Sequence, residues 1–206
     1  MEQKKGLPTV EHAKCIIQFT DRSQLQVLNS KAYELKQRMQ TLRKGIQHET
    51  AARFNRAMVY KMIRPLAQFH EDYRAIEEVV LNSHTLEASS RVNFSNVKKG
   101  GTFHTHPAII DGLTQSCGFV MNCNDAADLD IEVFVNHGWA SFQLFEEIST
   151  DKEYRTFTQM VEGKDKMWEG DVVVFEGEKI VASFKRVTVS KLFEMPSLML
   201  SGLNLT

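Results

Sequence analysis

The chain has 206 residues, room for one domain with an appendage, and 42% of them are hydrophobic, enough for a core of ordinary size. Its 25 Lys and Arg stand against 26 Asp and Glu, and the resulting net charge of -1 excludes the basic footprint of a nucleic-acid or anionic-membrane binder, leaving small molecules or proteins as expected partners. No run approaches about 18 consecutive apolar residues and the opening MEQKKGLPTVEHAK has no apolar signal core, so the expectation is a soluble, cytoplasmic protein.

In chain order, Ala13 to Phe19 reads as a short strand. Leu25, Leu28, Ala32, Leu35, Met39 and Leu42 then recur at spacings of three and four, the mark of an amphipathic helix. Gly45 to Thr50 interrupts it, and a second helical pattern through Phe54, Met58 and Met62 stops before Pro65. The two are expected to form an N-terminal helical hairpin. From Tyr73 the texture changes to strands: RAIEEVVL and LEASSRVNF, separated by Asn82, Ser83 and His84, suggest an antiparallel pair. Later come IEVFVN, Trp139 to Phe145, Tyr154 to Met160, and DVVVF and KIVASFKRVTV around a Glu-Gly-Glu turn. The tail from Met195 is expected to be loosely attached.

Between the first strand pair and the rest lies HTHPAIIDGLTQSCGFVMNCND, residues 104–125, a helix apolar around most of its circumference. Asp111, Gln115, Gly118 and Asn122 fall within a band of about 60° on it, while Ile109, Ile110, Leu113, Cys117, Phe119, Val120 and Met121 fill most of the rest. Such a helix is normally buried. A carboxylate and two amides on it then need either a buried polar network or a ligand chamber, and two histidines at its mouth favour the chamber. A long antiparallel sheet wrapped around one central helix is an α+β arrangement, the hot-dog fold. The expected division is 1–68 for the strand and flanking helices and 69–206 for the hot-dog domain, within a single structural unit.

The stretch His106-Pro107-Ala108-Ile109-Ile110-Asp111-Gly112-Leu113-Thr114-Gln115 resembles the element that opens the central helix of polyketide synthase dehydratase domains. Gly118 to Asn122, Asn136 to Trp139, MVYKMI, YRAIEEV, DKEYRTF and GDVVVFEGEKIVASF resemble more narrowly the product-template domain of fungal non-reducing polyketide synthases. That resemblance implies a double hot-dog in which a histidine of the first half faces an aspartate of the second across a deep pocket. It also implies regioselective cyclisation of a poly-β-ketone, which an acyl carrier protein holds. Only the second half is matched, so Asp111 alone carries over from that pair. Its histidine partner is expected from a second copy in a homodimer, or from a first-half hot-dog encoded elsewhere.

Cyclisation requires proton removal from carbon and stabilisation of enolate and alkoxide. Asp111, placed by the sequence in the first turn of its helix, could orient a histidine base as an anion, or donate a proton if burial raises its pKa. The alternative is an acidic residue compensating a helix N-terminus. His104 and His106 are candidate bases, of which one at most should enter the chamber, because i and i+2 in extended chain point oppositely. Either could equally be a loop histidine satisfied by backbone. Gln115, Asn122 and His137 are candidate substrate-binding residues; the plain readings are a helix amide bonded to backbone and, for His137, a turn residue. His104, His106, Asp111 and His137 lack the short-spaced pairs of a zinc site, so no metal is expected, nor any cofactor. Cys15, Cys117 and Cys123 read as reduced thiols.

The leading function is therefore a stand-alone product-template or dehydratase-like enzyme performing cyclisation or dehydration. The alternatives are a pericyclic or isomerising cyclase on a released intermediate, a hot-dog thioesterase, and a non-catalytic half-domain that binds a polyketide or scaffolds a synthase.

Overall fold

The structure is a computed structural model that describes residues 16–19, 23–98, 100–164 and 167–194. The tail from Met195 and residues 13–15 of the expected first strand lie outside these, and residues 16–19 belong to no strand. Among the described residues eight strands form one antiparallel sheet: β1 (Ala52–Asn55), β2 (Ile76–Asn82), β3 (Glu87–Asn93), β4 (Glu132–Gly138), β5 (Ser141–Leu144), β6 (Glu153–Glu162), β7 (Trp168–Glu176) and β8 (Lys179–Glu194). Their order is β1-β2-β3-β6-β7-β8-β4, with β5 also paired to β8. They are accompanied by the α-helices α1 (Ser23–Gly45), α2 (Arg56–Met62) and α3 (Pro107–Cys123).

The two-residue period of the strands divides their side chains between two cores. On β2, Val79 and Leu81 join the core around α3, whereas Val80 faces the other way. The same split sends Val172 and Val174 of β7 inward and Val173 and Phe175 outward. Helix α1 covers that outer side with Leu28, Met39 and Leu42, which pack in one cluster with Val80, Phe157, Val173, Phe175 and Ile180. Helix α3 lies on the inner side, where Leu113, Cys117 and Val120 are fully buried. A sheet curved around one buried helix is the expected hot-dog arrangement.

The N-terminal helices take a different form from the expected hairpin. Phe54, which periodicity assigns to the second helix, sits in β1, whose partners are residues 78–81 of β2. Helix α2 follows directly, capped by Asn55 Oδ1, which accepts the Met58 N–H at 3.0 Å. Its Val59 joins the inner core, so α1 and α2 pack on opposite faces of the sheet. Separate apolar faces to cover, not an apolar seam between the helices, decide their placement.

Two contacts fix α3 against its surroundings. At Gly112 an added Cβ would lie 2.6 Å from Ala75 Cβ and 2.9 Å from Phe94 Cε1, so the absence of a side chain lets the helix approach the start of β2. Gly112→Ala is expected to lower stability by about 1–3 kcal/mol through overpacking. A urea midpoint equal to the wild type would show instead that Ala75 and Phe94 give way. At the other end, Asn122 of α3 binds the backbone of Phe134 in β4, donating from Nδ2 to its carbonyl at 2.8 Å and accepting its N–H at 2.9 Å.

Candidate active site

Helix α3 begins at Pro107, whose fixed φ and missing N–H suit the first helical position. The N-cap is His106, with Nδ1 accepting the Ala108 N–H at 3.2 Å and its ring edge-on to Phe103 at 5.4 Å. Asp111 is consequently the fifth helical residue and not in the first turn, correcting that expectation. This weakens any pull of the helix dipole on its charge, since that effect fades within the first turn.

What acts on Asp111 is burial. The side chain is half-buried, and desolvation raises its pKa, opposed by a hydrogen bond from Gln115. Gln115 Nε2 donates to Asp111 Oδ2 at 2.6 Å and to the Tyr73 carbonyl at 2.7 Å. Its Oε1 accepts from the Tyr60 hydroxyl at 2.9 Å, and that hydroxyl accepts the Ile76 N–H at 3.0 Å. Among the described residues no donor reaches Asp111 Oδ1. One carboxyl oxygen is thus held from inside and the other is open. Burial raises the Tyr60 phenol well above its ordinary pKa, so it stays a neutral donor.

The remaining seam residues separate from this node. Gly118 is half-exposed, and a Cβ there would meet only Asn136 Oδ1, at 3.7 Å. Asn122 is buried with both amide protons and its oxygen engaged by the carbonyls of Gly118 and Phe134 and the Phe134 N–H. Of the histidines, His104 is exposed, 3.3 Å from Thr105 Oγ1, and His137 is exposed near the end of β4. The structure therefore brings Gln115 onto Asp111 and uses His106 as a cap. Among the described residues it places no histidine in hydrogen-bond contact with Asp111. Tyr60 is the added member; its place in MVYKMI carries no signal of a partner 55 residues away.

Two open hollows lie elsewhere. One of about 460 Å³ sits beside α1 and is lined by Leu28, Arg38, Phe157 and Asp171 among others; another of about 570 Å³ lies near Ala52, Ser83 and Asp125. Asp111 lines neither. Burial pushes the Cys117 thiol up to about 12, with Sγ 3.4 Å from Thr158 Oγ1, which leaves it protonated and without nucleophilic character near neutral pH. Among the described residues no group of three His, Cys, Asp or Glu side chains is placed to hold a metal.

No family model matches the chain. It is 60% identical over 179 residues to the non-reducing polyketide synthase pgmA of Aspergillus terreus, an alignment covering 87% of this chain and 8% of that protein. It is 57% identical over 179 residues to the non-reducing polyketide synthase fsr1 of Gibberella fujikuroi, and 38% identical over 187 residues to the norsolorinic acid synthase stcA of Emericella nidulans, covering 87% and 90% of this chain. In both cases the share of the synthase is again 8%. Among solved structures, the dehydratase domain of the CurJ module of curacin polyketide synthase superposes with a TM-score of 0.55 at 19% identity, over 68% of this chain and 50% of that one. The dehydratase domain of RzxB from Pseudomonas fluorescens gives 0.51 at 13% identity, over the same shares. These structural likenesses establish the fold: the chain matches half of each dehydratase domain. The chain is a homologue of one segment of the fungal non-reducing polyketide synthases and has the hot-dog fold of polyketide synthase dehydratase domains, consistent with a product-template domain.

Proposed function

We propose that this chain works in polyketide biosynthesis as the aspartate-bearing half of a product-template cyclase, with Asp111 as its acid or base. The observation that carries the reading is the state of that carboxyl group: half-buried on the central helix, raised in pKa, anchored through Oδ2 and open at Oδ1. A carboxyl titrating nearer neutrality can return a proton to the alkoxide formed when an enolate attacks a carbonyl, or as an anion can hold a histidine in its basic tautomer. The substrate is a poly-β-ketone, free or on an acyl carrier protein.

The opposing base comes from a second body. The sheet's hydrogen-bonded order ends at β1 and β4, and among the described residues neither strand has a further partner on that path. Isologous pairing of two copies is the commonest way to close such a surface, and a homodimer is the form we assign; a separately encoded first-half hot-dog is its alternative.

Light scattering of the purified chain should give twice the monomer mass. The chain should also convert a carrier-bound poly-β-ketone to cyclised product above the spontaneous background, alone or after addition of the first half of a product-template domain. A strictly monomeric chain that leaves the background product distribution unchanged in both arms would exclude the cyclase reading and favour a scaffold.

A further inference from the structure

Resting on that assignment of Asp111, we infer that Tyr60 is a positioning residue of the site: by locking the Gln115 amide it favours Oδ1 over Oδ2 as the oxygen of Asp111 that carries and transfers the proton.

The argument is one of donor counting. A tyrosine hydroxyl has a single proton. The Ile76 N–H occupies the oxygen of Tyr60 as a donor at 3.0 Å, so that proton is free to point away from the strand. It has two acceptors in view, Gln115 Oε1 at 2.9 Å and the Tyr73 carbonyl at 3.5 Å. The carbonyl already takes Gln115 Nε2 at 2.7 Å, so the shorter bond to Oε1 wins. With Oε1 fixed by Tyr60, the amide nitrogen must face Tyr73 and Asp111. Turning the amide over would set Oε1 against the Tyr73 carbonyl and Asp111 Oδ2, both acceptors, and Nε2 against the phenol.

Asp111 Oδ2 therefore always meets an N–H. A proton on Oδ2 would make that oxygen a poorer acceptor and weaken the Gln115 bond, so the acid form carries it on Oδ1, the oxygen that no described donor reaches. Tyr60 itself is held by three neighbours: the Ile76 N–H, the Phe69 ring edge-on at 5.9 Å, and the Arg74 guanidinium 5.8 Å from its ring centre. The other ionisable groups felt at this node are Arg56 on α2 and Asp111 on α3. Arg56 is paired with Glu71 and Glu77, and Arg74 with Glu71, so neither competes for the aspartate.

The test reads the carboxyl directly and needs no turnover, so it can fail while the cyclase assignment stands, and the reverse. Asp111 is followed by carboxyl-carbon NMR across a pH titration of the full chain, with Asp111→Asn identifying its signal, in the wild type, Tyr60→Phe, Gln115→Leu and the double variant. Gln115→Leu should raise the midpoint by about one to two pH units, the worth of one hydrogen bond to a charged group. Tyr60→Phe should raise it by about half a unit, since the amide loses its lock but not its nitrogen. The double variant should match Gln115→Leu alone, because the effect of Tyr60 passes only through Gln115. A Tyr60→Phe midpoint equal to the wild type, even with reduced thermal stability, overturns the inference, as does simple addition of the two shifts. Should Tyr60→Phe not fold, 3-fluorotyrosine placed at position 60 alone, a stronger donor of nearly the same shape, should lower the midpoint; an unmoved midpoint overturns the inference again.

Discussion

Asp111→Asn should abolish cyclisation, with a loss of about 10²–10⁴-fold, while leaving the fold intact. The substitution is nearly isosteric, and its oxygen can still accept the Gln115 amide that now binds Oδ2 at 2.6 Å. At the open position, however, an amide nitrogen replaces a carboxyl oxygen, so it can donate a hydrogen bond but can neither release nor accept a proton. The effect on stability should have the opposite sign. An acid whose pKa is higher in the folded than in the unfolded chain binds protons more tightly when folded. Its contribution is most favourable below the unfolded value and is lost as pH rises through the folded one. Above that window the wild type carries a desolvated charge that the variant lacks, so Asp111→Asn should melt at the same temperature or higher at neutral pH and gain nothing in acid. Cyclisation persisting within a few-fold of wild type would remove proton transfer from the role of this residue.

The second large effect belongs to Asn122. Asn122→Ala should cost about 3 kcal/mol or more, because it strands the Phe134 N–H and deprives the Phe134 and Gly118 carbonyls of a donor inside a buried joint. Urea unfolding measures this, and a loss below about 1 kcal/mol would mean that water replaces the side chain. Activity per folded molecule separates its two readings. A residue that only fastens α3 to β4 leaves it unchanged once folding is accounted for, whereas a substrate ligand lowers it in fully folded protein.

The polar seam shows what a sequence can and cannot convey. Helical angle alone places Asp111, Gln115, Gly118 and Asn122 on one side of α3, and the structure keeps them there. Angle does not say which of them keeps an open oxygen and which is tied to a strand. Asn122 meets the β4 backbone, a contact set by where a strand ten residues later comes to rest. Tyr60 is not legible as a site residue because a tyrosine among Met58, Val59 and Met62 reads as core, and the phenol's partners, Ile76 and Gln115, are fixed only by tertiary packing. Strand β1 was hidden for a different reason: Ala-Arg-Phe-Asn is too short and too polar to announce a period of two, and Phe54 fits the helical spacing that follows it. The amphipathic stripe of α1 was plain, but a stripe does not tell which face of a sheet it will cover.

The order of strands has a consequence for how the molecule is completed during synthesis. Helix α3 leaves the ribosome before β6, β7 and β8, yet these three strands supply Tyr154, Met160, Val172, Val174, Phe184 and Val187 to the core around it. The first of them must also return to lie against β3, where Ala88 pairs with Thr158 and Val92 with Tyr154. Closing that long loop precedes the main apolar gain, so the nascent chain holds a greasy helix without its wrapping until its last strands emerge. Truncation before β7 should therefore yield aggregate instead of a smaller stable body.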